Sequence, residues 1–102
     1  MIKKRSYKLK TIQNINSEDN VVCTIGKVVS IDPFIIEDSG NKIRLILDNP
    51  TEYKVGDYIR VFIRLSFSEE IPFGRPDIVQ KIDLEPEEIN LYLDKYKKYI
   101  GE

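Results

Sequence analysis

Residues 21–31, VVCTIGKVVSI, constrain the fold more than any other stretch of the chain. β-branched side chains lose rotamer freedom in a helix and fit a pleated surface, so a run this rich in valine and isoleucine predicts a strand. Gly26 and Lys27 interrupt it, which predicts one curved strand with a bulge or bend at the glycine. Asp32-Pro33 ends it. Phe34 to Glu37 is a second apolar run, Asp38-Ser39-Gly40-Asn41 has turn composition, and Lys42 to Leu47 alternates as KIRLIL. That pattern is a β-hairpin, with Glu37 opposite Lys42, Ile36 opposite Ile43, Ile35 opposite Arg44 and Phe34 opposite Leu45.

After a loop at Asp48 to Glu52 and a turn at Val55-Gly56-Asp57, residues 58–65 read YIRVFIRL. Ile59, Val61, Ile63 and Leu65 fall on one face, the core face, and Tyr58, Arg60, Phe62 and Arg64 on the other. Residues 66–76 form a loop that carries Phe67, Ile71, Phe73 and Arg75, and residues 77–84 are a fifth strand. Pro86 fits a first helical turn with Glu87 and Glu88 behind it, where the helix dipole favours acids. Ile89, Tyr92, Leu93, Tyr96, Tyr99 and Ile100 then recur at three- and four-residue spacing, predicting an amphipathic helix over 86–100 closed at Gly101. The chain divides into a basic N-terminal segment 1–20, a barrel 21–84 and a C-terminal helix 85–102.

Composition narrows the function. With 102 residues, 41% hydrophobic and 32% charged, the chain has the make-up of one soluble globular domain. Sixteen isoleucines, no alanine and no tryptophan favour strands. There is no histidine and one cysteine, Cys23, which removes zinc ribbons, CxxC redox pairs, histidine bases and Cys-His dyads. Cys23 sits in an apolar run and reads as a reduced packing residue of a cytoplasmic protein. Asp32, Asp38, Asp48 and Asp57 all lie at turns, where carboxylates cap backbone amides, so no metal site, cofactor or enzymatic activity is expected. Sixteen Lys plus Arg stand against seventeen Asp plus Glu, with the positive excess in residues 1–20. Nucleic acid would therefore meet a local patch, not a basic surface.

A bent first strand with a central glycine, a D-x-x-G hairpin, a V-G-D turn and a fifth strand after a longer loop are, in that order, the elements of an all-β, five-stranded Greek-key OB-fold barrel with a C-terminal helix. The stretch VVCTIGKVVSIDPFIIEDSGNKIRLILDNPTEYKVGDYIRV resembles the OB domains of replication protein A and its archaeal relatives, and the resemblance spans roughly residues 8–84. A barrel followed by one amphipathic helix is similar to the small and middle subunits of replication protein A and of the related telomere-capping complex. This resemblance implies a non-catalytic subunit of a DNA-replication or single-stranded-DNA-binding assembly, with the helix packed on a protein partner, in a hetero-oligomer or by self-association. It also implies that single-stranded DNA crosses the second and third strands between two loops, here Ile31-Asp32-Pro33 and Ser66 to Pro76. Enrichment in isoleucine, lysine and glutamate hints at a thermophilic archaeal source. The alternative is a scaffolding or accessory subunit of a polymerase-type complex that makes no nucleic-acid contact.

On this basis Lys42, Arg44, Phe67, Phe73 and Arg75 are the candidate nucleic-acid residues, since aromatic rings stack on bases and cations meet phosphates. The face of the second and third strands shows Ile35, Lys42, Arg44 and Ile46 but no aromatic. Phe67 and Phe73 have a second reading as a cap over the barrel end. Ile89, Tyr92, Leu93, Tyr96, Tyr99 and Ile100 are the candidate partner residues, with Leu91 broadening their stripe; the same side chains also suit sealing their own barrel. Arg60, Phe62 and Arg64 interleave cations with a ring, and coverage by the N-terminal segment or a partner is the favoured reading. Lys3, Lys4, Arg5, Lys8 and Lys10 form either an arm for phosphates or a solvated tail.

Overall fold

The structure, a computed structural model, describes residues 7–19 and 21–101. Its strands are β1 (Lys8–Leu9), β2 (Val21–Ile31), β3 (Phe34–Asp38), β4 (Asn41–Leu45), β5 (Tyr58–Arg64), β6 (Phe73–Gly74) and β7 (Pro76–Ile82), followed by one helix, α1 (Pro86–Tyr99). They join in the order β6-β4-β3-β2-β5-β7, with β1 added beside β2. Arg75 alone separates β6 from β7, so the two ends of this path are one stretch of chain. β6 lies parallel to β4 and β7 antiparallel to β5, which closes the curled sheet. This is the OB-fold, and β2, β3, β4, β5 and β7 are its five expected strands.

The hairpin has the register that its alternation predicts, Glu37 opposite Lys42 through Phe34 opposite Leu45. Ile36, Ile43, Ile59, Val61 and Ile63 are fully buried inside. Each contributes roughly 1.5–3 kcal/mol by leaving water. Gly26 does not mark the bulge. It pairs regularly with Ile59, and the register shift lies beyond it, between Val28 and Ser30. Glycine is required at 26 for space: an added Cβ would stand 2.9 Å from Ile36 Cβ and 3.0 Å from Ile12 Cδ1.

Residues 7–19 pack on the barrel. Ile12, on a 3-10 turn, enters the core, and β1 runs parallel to β2 at Lys8↔Val22 and Leu9↔Cys23. Asp19 is 1% exposed and accepts bonds from Lys10 Nζ at 2.9 Å, Lys8 Nζ at 3.3 Å and the Asn16 amide at 2.9 Å. Burial pushes its carboxyl pKa up, but the Asn16, Lys10 and Lys8 bonds together outweigh it and hold the group below its usual value. Lys8 and Lys10 are thus committed to Asp19 and form no arm. Lys3, Lys4 and Arg5 lie outside the described residues.

Candidate nucleic-acid and partner interfaces

Side chains alternate along β3 and β4, so with Phe34, Ile36, Ile43 and Leu45 inside, Ile35, Glu37, Lys42 and Arg44 point outward. Two rows result. Lys27 of β2, Glu37 and Lys42 form one, and Ser30, Ile35, Arg44 and Phe73 the other. The second row corrects the expectation of a face without an aromatic. Residues 66–76 read as a loop, yet Phe73-Gly74 pairs with β4 as β6 and sets the ring beside Arg44, whose guanidinium lies 4.8 Å from the ring centroid. Gly74 permits a different close approach, of β6 to the end of β5, because a Cβ there would collide with the Arg64 carbonyl oxygen.

The five candidate residues divide. Lys42, Arg44 and Phe73 share the β3–β4 face, where Lys42 is exposed and Arg44 donates from Nη2 to both Glu69 oxygens, at 2.8 and 3.1 Å. Arg75 is drawn to Asp48 at 2.7 Å, and Phe67 is half-buried against the core. Phe67 is therefore the barrel cap of its second reading. Lys27 escaped the sequence reading. The strand alternation beyond Gly26 carries the signal, but only the sheet register shows that Lys27 and Lys42 flank one glutamate.

On the outer face of β5 the N-terminal segment covers Phe62, while Arg60 is half-buried and Arg64 exposed. Tyr7 meets Phe62 edge-on at 5.1 Å and donates its hydroxyl to Asp77 at 2.7 Å. Next to it, Cys23 and Ile25 are outward-facing yet buried, and α1 crosses this end of β2: the Tyr96 hydroxyl donates to the Cys23 carbonyl at 2.8 Å and the Lys10 carbonyl at 3.1 Å. Burial raises the Cys23 thiol pKa above its ordinary value, against a smaller lowering by Arg60 and Tyr96, so the thiol stays protonated and inert.

α1 starts on Pro86 with Glu85 and Glu88 in a reciprocal capping box and ends before Gly101, which has a φ of 81°. Its six candidate partner residues also divide. Ile89 is buried and Tyr96 is tied to β2, so these two fasten the helix to its own barrel and are not free for a partner. Tyr92, Leu93 and Ile100 are half-buried, while Tyr99 is 80% exposed. Leu91, at 62%, joins it. Among the described residues no cluster of three metal-ligating side chains occurs, and no helix is long and apolar enough to cross a membrane.

No protein-family model matches the chain, and no curated protein matches its sequence. Solved structures do match. A chain of the S. pombe Stn1–Ten1 complex superposes with a TM-score of 0.67 at 12% identity, covering 94% of this chain and 96% of that one. The S. pombe telomere-capping protein Ten1 superposes at 0.64 and 13% identity, covering 91% and 99%. The chain has the fold of these telomere-capping proteins. At such identity it is the architecture alone that is shared.

Proposed function

We propose that the chain is a non-catalytic OB-fold subunit that holds a protein partner through the exposed side of α1 and single-stranded nucleic acid across β3–β4, within a DNA-replication or single-strand-binding assembly. The carrying observation is the near-complete superposition on a chain of the Stn1–Ten1 complex, a protein that works as part of a hetero-oligomer. Exposure of Leu91 and Tyr99 beside the half-buried Tyr92 supports the partner half of this reading. Lys27, Lys42, Arg44 and Phe73 support the nucleic-acid half, supplying cations and one stacking ring. The protein would act in the cytoplasm, associated with the nucleoid when bound to DNA.

One observation favours the scaffold reading instead. Arg44 and Arg75 already meet Glu69 and Asp48, so phosphate must compete with an internal carboxylate for each. Anisotropy with a labelled oligothymidine separates the two. Binding through about three phosphates gives a log–log salt slope near −2, at roughly 0.7 per contact. Phe73→Ala should weaken it and Phe67→Ala should not. No binding at low salt, or binding indifferent to Phe73, leaves the scaffold.

A further inference from the structure

Three arginines make side-chain contacts among the described residues, and their partners differ in charge. Arg44 meets Glu69 and Arg75 meets Asp48. Arg60 instead donates from Nε at 2.8 Å, and from Nη2, to the neutral amide oxygen of Gln80, with its guanidinium 5.6 Å from the Phe62 ring centroid. Its Nη1 donors are unused, and none of the described carboxylates pairs with it, including Asp83, which lines the same cleft.

Arg60 is half-buried in an open cleft of about 540 Å³ between β5, β7 and α1, which Gln80, Lys81, Ile82, Asp83, Leu84 and Tyr92 also line. Among the described residues the Arg60 guanidinium meets the Gln80 amide and the Phe62 ring and no carboxylate, and its free planar edge suits two-point contact with one. Through Leu84 and Tyr92 the cleft adjoins a smaller, mainly apolar depression that Glu88, Leu91 and Lys95 also line. The result is one trough, with Arg60, Lys81 and Asp83 at one end and Leu91 at the other.

We infer that this trough receives a segment of a partner protein whose aspartate or glutamate enters the cleft at Arg60 while its apolar side chains lie on Leu84 and Leu91. The apolar surface of Leu84 and Leu91 beside the cleft favours a protein over a phosphate chain, and Lys42, Arg44 and Phe73 lie on the separate β3–β4 face. The inference rests on the partner-binding reading of α1 and names the chemistry that the partner must bring.

A random dodecapeptide phage library selected on the purified full chain tests it. Enriched peptides should combine Asp or Glu with Leu, Ile or Phe, and synthetic copies should bind Arg60→Met about tenfold more weakly while Arg64→Met binds them unchanged. Exchanging the peptide's acid for its amide should lose the same factor. Arg60→Lys, which keeps the charge without the planar edge, should fall between, and serves alone if Arg60→Met does not fold. Peptides without an acid, or peptides lost with Leu91→Asp but indifferent to Arg60, overturn the carboxylate site and leave the partner face standing. Peptides indifferent to both, or no enrichment, overturn both. Displacement of the peptide by oligothymidine reassigns Arg60 to nucleic acid and overturns the inference.

Discussion

The two segments that flank the barrel strands are attached in opposite ways. Residues 7–19 place Ile12 in the core, bury Asp19 between Lys8 and Lys10, and add β1 to the sheet. α1 is of similar length, with 14 residues, yet it buries a single side chain, Ile89, and relies on Tyr96 for its polar tie to β2. What a segment buries, not its length, decides how firmly it is held. One core side chain and one buried ion cluster fix residues 7–19 to the sheet, whereas a helix with one buried residue keeps much of its surface exposed.

Substitutions in the two segments should therefore separate stability from association. The largest stability loss is expected from Ile12→Ala, about 2–5 kcal/mol for a core isoleucine, read by urea denaturation. Asp19→Ala should follow at about 3 kcal/mol, since it leaves Lys8, Lys10 and the Asn16 amide without their acceptor. If either variant melts like the wild type, the N-terminal segment is an appendage and the comparison fails.

The same group sets an acid limit. Because its folded pKa lies below the ordinary 3.8, Asp19 adds stability that is fully present above that pH and is lost as pH falls through the folded value. A urea series from pH 6 down to pH 2 should show an acid-side loss that is diminished in Asp19→Asn.

Tyr96→Phe keeps the ring and removes the hydroxyl that bridges Lys10 and Cys23, which should cost about 1 kcal/mol and raise proteolysis within α1. The smallest effect on folding belongs to the double variant Leu91→Asp, Tyr99→Asp, within about 0.5 kcal/mol because both side chains are exposed. Its effect on copurification of a partner should be the largest of the series. Should the variant unfold, α1 is a core element and the contrast between the two segments is lost.

Local chemistry by itself determined the five main strands, the hairpin register and the helix. A side chain alternating with period 2 or 3.6 commits to a face through neighbours close in sequence, and Asp32-Pro33, the D-x-x-G turn and Pro86 punctuate the pattern without help from distant residues. Residue type made Lys42, Arg44 and Phe73 candidates, because it states the chemistry on offer. Which of these residues meet was decided only by closure of the barrel. Phe73 reaches Arg44 because β6 pairs parallel to β4, a contact across 29 residues that no spacing announces. Arg75 and Phe67, from the same loop, go to Asp48 and to the core. Likewise, nothing around Asp19 in the chain marks it as buried. It becomes so when β1 sets Lys8 and Lys10 alongside β2, where the half-buried Lys10 pairs with it at 2.9 Å and Lys8 reaches it from the surface at 3.3 Å. Periodicity reports which face a residue takes, and only the tertiary fold brings another residue to that face.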